Sequence, residues 1–241
     1  MKKSNSLIKN NLQQFGYAVV DSIYSGKEVE NIIACIETAS TQQIFAESST
    51  HLFAIRQVMK KIPTLKSVIF TDKLRSLLTV LFEESYFLTK SIYFDKPSES
   101  NWFVAYHQDL SISVNHKADV NNYTHWTFKK GQYGVQPPVA ILENIVTVRI
   151  HLDDTKKENG ALKVIPKSHC KGIYRAETID WNTETEHTCE VEKGGIMLMK
   201  PLTLHASNRT TNGNQRRVLH LEFSSKNLAP PLKWLEFDNL F

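Results

Sequence analysis

The stretch NWFVAYHQDL, residues 101–110, sets an imidazole and a carboxylate two positions apart in a run of strand-like composition. Side chains alternate along an extended chain, so His107 and Asp109 point the same way, on a face predicted to carry Phe103 and Ala105 too. Val104, Tyr106, Gln108 and Leu110 fall on the other face, read as packing. One neutral nitrogen and one anionic oxygen make two thirds of a set of two histidines and one carboxylate, which leaves positions open on ferrous iron. Alone, an H-x-D pair is a weak signal, because a motif without context is mostly coincidence.

A third donor must come from elsewhere, and the chain has nine histidines. His51 falls in a helical pattern, His116 and His125 in a long connection, His169 and His187 near turns, and His151 and His220 in strand-like runs. His205 differs: it follows GGIMLMKPLTL and precedes ASNRTTNGNQRRV, a turn leading into a basic strand. Ser207 stands two residues after it and Arg216 eleven. A guanidinium fork pairs bidentately with a carboxylate, and a nearby hydroxyl can share that anion. Taken singly, His205 reads as a core or surface histidine and QRRV as a solvated charge pair. In this order, within an all-β second half, they read together as a metal with an anion-binding neighbour.

Strands must hold these donors, and the chain supplies them after a helical start. SGKEVENIIACIETA opens with S-x-x-E, Ser25 to Glu28, and continues with Val29, Ile32, Ile33 and Ile36 on one helical face. HLFAIRQVMKKIP predicts a short helix stopped at Pro63, and TDKLRSLLTVLFEE a further one capped by Thr71 or Asp72. GYAVVDSI predicts a strand before the first of these helices. From about residue 85 the texture becomes short β-rich runs between turns, such as YFLTKSIYFDK, ENIVTVRIHLDD, GGIMLMKP and RRVLHLEFS, which argues for a barrel or jelly roll. The predicted architecture is one mainly β domain over 1–241, with a helical part to about residue 84 bracing a core over about 85–225. The connection 111–146 is long enough to be functional or to carry a helix of its own.

Composition narrows the classes. A net charge of +4 with scattered lysines and arginines makes nucleic acid an unexpected partner. No apolar run reaches the roughly 18–20 residues of a membrane span, so no membrane partner is expected. Polar residues interrupt MKKSNSLIKNNLQQFGY before a signal-peptide core forms, so the expected location is cytoplasmic. Cys35, Cys170 and Cys189 lack C-x-x-C spacing and are expected to be reduced thiols that pack as small apolar residues. Oligomeric state is not set by any of these features.

Four blocks, FDKPSESNWFVAYHQDLSI, GVQPPVAILENIVTVRIHLDD, ENGALKVIPKSH and LHASNRTTNGNQRRVLHLEF, occur in this order over roughly residues 85–223. Together they resemble the phytanoyl-CoA dioxygenase-like branch of the iron(II)- and 2-oxoglutarate-dependent oxygenases. The resemblance implies a double-stranded β-helix, a cupin-like jelly roll, working with Fe(II), 2-oxoglutarate and O2. Carried over residue by residue, it makes His107, Asp109 and His205 the iron ligands, and Arg216 with Ser207 the seat of the distal carboxylate of 2-oxoglutarate. Arg217 is the alternative to Arg216, since adjacent strand residues face opposite ways, and the spacing from His205 favours Arg216. Trp126, in HWTF, matches a family aromatic near the cosubstrate.

Arg149, with Thr147 and His151 on the same side of its strand, reads equally as a ligand for substrate or cosubstrate and as half of a buried ion pair. Trp102, Phe103 and Tyr106 are expected near the substrate. The implied reaction couples decarboxylation of 2-oxoglutarate, to succinate and CO2, with hydroxylation of an unactivated C–H bond of a small, polar molecule. Related halogenases carry a small residue where Asp109 stands, so Asp109 favours an oxygenase outcome. Two competing readings remain: a cupin-like or hydrolytic metal enzyme, which needs no dicarboxylate seat, and a non-catalytic jelly-roll module, which predicts loss of a ligand or the arginine.

Overall fold

The computed structural model describes residues 2–41, 54–83, 85–96 and 103–239. The helical part contains α1 (Lys2–Phe15), β1 (Tyr17–Val20), α2 (Gly26–Thr41), β2 (Ala54–Arg56), α3 (Val58–Lys61), α4 (Leu65–Ile69) and α5 (Asp72–Phe82). Then come β3 (Phe87–Lys96), β4 (Val104–His107), β5 (Ile112–Val114), β6 (Thr124–Lys129), β7 (Gln132–Gln136), α6 (Val139–Asn144) and β8 (Val146–His151). The chain ends with β9 (Leu162–Val164), β10 (His187–Cys189), β11 (Ile196–Met199), β12 (His205–Ser207), β13 (Arg216–Ser224) and β14 (Asp238–Asn239).

The main sheet runs β1-β11-β8-β13-β3-β14, with β2 also paired to β3. Its central strand β8, VTVRIH, is buried at every position, so each of its faces must find a partner. Val148 and Ile150, with Leu219, Leu221 and Phe223 of β13, pack against Ile32, Leu65, Ile69, Leu74 and Leu78 of the helices. Each such side chain contributes roughly 1.5–3 kcal/mol on burial. The opposite face turns Arg149, Val218 and His220 towards a second sheet, β10-β9-β12-β4. This is a cupin-like jelly roll braced by N-terminal helices.

Local signals account for most boundaries. Ser25 Oγ accepts from the Glu28 N–H at 3.3 Å, and Glu28 accepts from the Ser25 N–H at 2.7 Å and from its hydroxyl at 2.8 Å, a reciprocal cap on α2. Thr71, not Asp72, caps α5 by accepting from the Leu74 N–H at 3.4 Å.

Two expectations are corrected. HLFAIRQVMKKIP is not one helix: Ala54–Arg56 pair with Phe94, Tyr93 and Ile92 of β3, Gln57 turns the chain at φ +55°, and only Val58–Lys61 are helical. The apolar spacing of Ile55, Met59 and Ile62 fits a helix, but the open edge of β3 captures the first of these in a ladder. His51 lies outside the described residues. The 111–146 connection carries helix α6 and also a three-stranded sheet, β5-β7-β6. The core also reaches beyond its expected limits, because β1 joins β11 at one end and β14 joins β3 at the other. Among the cysteines Cys189 is buried, its thiol pushed up to about 12 by burial, whereas Cys170 is exposed. No helix among the described residues is long and apolar enough to cross a membrane.

The α2 cap gives a first test. The Glu28 carboxyl titrates below its usual range, first because the Ser25 N–H and then because its hydroxyl donates to it. Its contribution is therefore present above the ordinary glutamate pKa and fades as pH falls through the depressed value. Ser25→Ala should lower stability by about 1 kcal/mol near neutral pH, read as a lower urea midpoint at unchanged slope, with the difference shrinking in acid.

Candidate metal centre

Strands β4 and β12 pair antiparallel, with His205 opposite His107 but Ser207 opposite Val104. Three steps on β4 therefore face two on β12, a β-bulge that breaks the alternation. As a result Val104 and His107 line the same cavity, while Ala105 is exposed and Phe103 is 57% exposed. The regular alternation expected from the sequence does not survive the bulge. Asp109 lies beyond the strand end, where its N–H donates to the Pro201 carbonyl at 2.9 Å. Gln108 holds that turn from behind, donating to the carbonyls of Gly172 at 2.9 Å and Leu202 at 2.6 Å and accepting from the Tyr174 N–H at 2.9 Å.

His107, Asp109 and His205 bring their donor atoms within 4.8 Å of one another. His107 Nδ1 contacts the Ala105 carbonyl and His205 Nδ1 the Thr203 carbonyl, both at 2.9 Å. A carbonyl only accepts, so Nδ1 carries the hydrogen on each ring and the Nε2 lone pairs are left for a ligand. Those Nε2 atoms lie 3.8 and 3.7 Å from the two oxygens of Asp109. Two ligands of one ion at about 2.1 Å are at most about 4.2 Å apart, so these separations fit a shared divalent metal.

The protonation states agree. Burial pushes the Asp109 carboxyl up, but His205, His220, Lys90 and His107 together outweigh it and hold it at about 2. Burial lowers His205 to about 4, leaving it neutral as a ligand must be.

The same cavity, of about 250 Å³, holds three buried cations. Lys96 is 1% exposed, Arg216 7% and Arg149 8%, and Asp109 is the only carboxylate in the lining among the described residues. Burial, then Arg216, lowers Lys96 to about 8; burial, then Arg149, lowers Arg216 to about 9. Arg216 donates to the Gly160 carbonyl at 2.5 Å, as does the Ser207 hydroxyl at 2.9 Å. Arg217 faces away and forms a two-point pair with Asp153 at 2.9 and 2.7 Å. Arg149 donates to His220 Nδ1 at 3.1 Å, while its Nε has no protein partner. It faces the cavity with a histidine beside it, not a paired carboxylate.

The other expected residues lie elsewhere. Trp126, on β6, packs on the cluster of Val114, Leu142 and Trp234 and does not line the metal cavity, because the inserted sheet gives it an apolar wall of its own. Tyr106 bonds to Glu186 and lies 5.6 Å from the Trp181 ring, outside the cavity, since the bulge hands its place to Val104. Phe103 stands in solvent, and Trp102 lies outside the described residues.

The fold and this donor set can now be set beside known proteins. A family model described as phytanoyl-CoA dioxygenase matches residues 12–218. The chain belongs to the phytanoyl-CoA dioxygenase family. No curated protein matches it. Among solved structures it is similar to the apoform of EctD from S. alaskensis, at 16% identity and TM-score 0.71 over 92% of this chain and 78% of that one. It is also similar to the α-ketoglutarate-dependent carbocyclase SnoK of nogalamycin biosynthesis, at 15% identity and TM-score 0.67 over 92% and 84%. The epimerase SnoN, in complex with Fe3+, α-ketoglutarate and nogalamycin RO, aligns at 12% identity and TM-score 0.68 over 93% and 84%. At such identities the likeness is one of fold.

Within this member of the phytanoyl-CoA dioxygenase family, the cavity also uses Phe94, Lys96, Leu162, Val218 and His220, which sequence reading missed. Alternation from Arg216 along RRVLHLEF points to Val218 and His220; nothing in the sequence marks Lys96, which is placed by its register opposite Arg216. Gly160 is required where it stands: its φ is +83°, and a Cβ there would lie 2.8 Å from the Asn208 carbonyl and 3.2 Å from Ser207 Oγ. Gly160→Ala should cost about 2 kcal/mol of stability, seen as a lower thermal midpoint.

Proposed function

We propose that this chain is an Fe(II)- and 2-oxoglutarate-dependent oxygenase that hydroxylates an unactivated C–H bond of a small-molecule substrate, releasing succinate and CO2. The observation that carries this reading is the company the three donors keep: one small cavity holds the two ligand imidazoles with their Nε2 atoms open, one carboxylate and three buried cations. The charge of Arg149 and Arg216 beside the metal donors suits a dianion, and 2-oxoglutarate is one. A hydrolase or a simple cupin has no use for such a seat, and a binding module has no use for an intact ligand set.

His107 Nε2, His205 Nε2 and one Asp109 oxygen would hold the iron. Arg216 and Lys96, neighbours across the β13–β3 ladder, would receive the distal carboxylate. The Ser207 hydroxyl, now bonded to Gly160, fixes the carbonyl that orients Arg216. Arg149 faces the metal side of the cavity, where its charge attracts the carboxylate of Asp109. Iron with 2-oxoglutarate and O2 supplies the oxidising chemistry, and the chain supplies position and exclusion of water: Phe94, Val104, Leu162 and Val218 form the apolar part of the lining.

Anaerobic Fe(II) with 2-oxoglutarate should give a saturable visible charge-transfer band, and with O2 the chain should form succinate. Asp109→Ala should abolish both. Arg216→Gln should weaken 2-oxoglutarate binding by about 100-fold, as for the loss of a buried charge pair. Arg217→Gln should leave that binding unchanged. Failure of 2-oxoglutarate to bind in the presence of Mn(II), together with no succinate from any substrate, would refute the assignment.

A further inference from the structure

A second cavity, of about 420 Å³, is lined by residues that directly follow Asp109 in the chain. Its wall includes Leu110 and Ser111, so it begins one residue past Asp109. The remaining walls come from β2, β3 and the inserted β5-β7-β6 sheet. Arg56, Lys90, His125 and Lys129 line it, and among the described residues no aspartate or glutamate does.

The charges are not equivalent. Lys90 is spent on Glu222, at 2.8 Å, and on the Ser111 carbonyl, at 3.1 Å. Arg56 and Lys129 have no ion-pair partner among the described residues, so the cleft carries two uncompensated cations. A concave surface focuses such a field and concentrates anions within it.

Two hydroxyls, of Ser111 and Thr127, belong to the same lining. Gly134 lies where Ser111 and Thr127 converge: a Cβ there would be 2.6 Å from Thr127 Oγ1 and 2.9 Å from Ser111 Oγ. Any side chain at 134 would fill the space into which these hydroxyls open. Neither hydroxyl bonds to another protein group among the described residues, so both remain free to donate. Two cations and two hydroxyl donors in one lining can recognise an oxyanion, because charge-assisted bonds to its oxygens come from several groups at once.

We propose that this cleft binds an oxyanion group of the substrate, a carboxylate or a phosphate, and so holds the carbon to be oxidised against the metal cavity. The inference rests on the oxygenase reading of the metal cavity and narrows its substrate to anionic small molecules. Leu110, next in the chain to the ligand Asp109, is the apolar residue of this lining that would meet the substrate's carbon skeleton.

The test uses the chain loaded with Mn(II) and 2-oxoglutarate, which fills the first cavity without turnover. Inorganic phosphate and acetate are titrated separately by calorimetry, and the tighter of the two identifies the group. Crystals of the loaded chain soaked in selenate should show an anomalous selenium peak within hydrogen-bonding distance of Arg56 and Lys129. The double variant Arg56→Gln, Lys129→Gln should weaken the tighter anion by at least about tenfold and leave 2-oxoglutarate affinity unchanged. Anion affinity unaltered in the double variant, or selenium confined to other surfaces, overturns the proposal. Phosphate or acetate seated in the cleft of a chain that fails to bind 2-oxoglutarate would support the anion site and overturn the oxygenase reading instead.

Discussion

A guanidinium cannot accept a hydrogen bond, and that restriction orders the polar interior of this fold. Arg149 meets His220 Nδ1 at 3.1 Å, so that nitrogen must accept and the ring hydrogen must sit on Nε2. Nε2 then donates to Glu222 at 3.0 Å, and Glu222 also accepts from Lys90. Each link fixes the direction of the next, from the metal cavity across β13 to the wall of the second cleft. The register of β13 with β8, which sets His220 opposite Arg149, is what allows the chain of contacts to close. That register is in turn held by the apolar faces of the same strands, pressed against the helices.

The helices thus do more than cover a sheet. Three cations in one small cavity repel one another, and burial alone already lowers the pKa of Lys96, Arg149 and Arg216. A fold tolerates this only if the surrounding packing is strong enough to hold the groups in place against that repulsion. The continuous cluster from α1 through β13 supplies that packing, and it lies on the face of the sheet away from the charges. An anion entering the cavity removes the repulsion, so ligand binding and folding stability are coupled through the same three side chains.

Much of the donor set was legible because it depends on residue type and short spacing. His107 and Asp109 announced themselves as a pair, His205 stood out by its place between an apolar strand and a basic one, and strand alternation limits the inward arginine to one of Arg216 and Arg217, of which the spacing from His205 favours Arg216. The jelly roll was legible from many short β runs following helices. What failed depended on pairing between distant segments. The β-bulge opposite His205 is a property of two strands together, and it shifted Val104 in and Ala105 out. The capture of Ala54–Arg56 by the edge of β3 overrode a helical apolar pattern. Trp126 was misplaced because its stretch forms a sheet with its own core, where a long loop offered no phase to count from. Lys96 was invisible for the same reason: a lysine at the end of an apolar strand reads as a solvated terminus until its neighbour is known.

The irregularity at the metal centre follows from the size of its donors. His107 and His205 face each other across one ladder with ring centroids 4.2 Å apart, which leaves no place within a regular strand for a carboxylate between them. Asp109 must therefore approach from beyond the strand end, where the ladder no longer sets its direction. The Pro201 carbonyl fixes its backbone, and Gln108, facing the other way, fastens the turn to the segments at Gly172, Tyr174 and Leu202. The middle residue of H-x-D is thereby a structural part of the site: it makes the direction of the carboxylate depend on two connections remote in sequence. A change in either connection reaches the metal ligands through one amide side chain, without touching them.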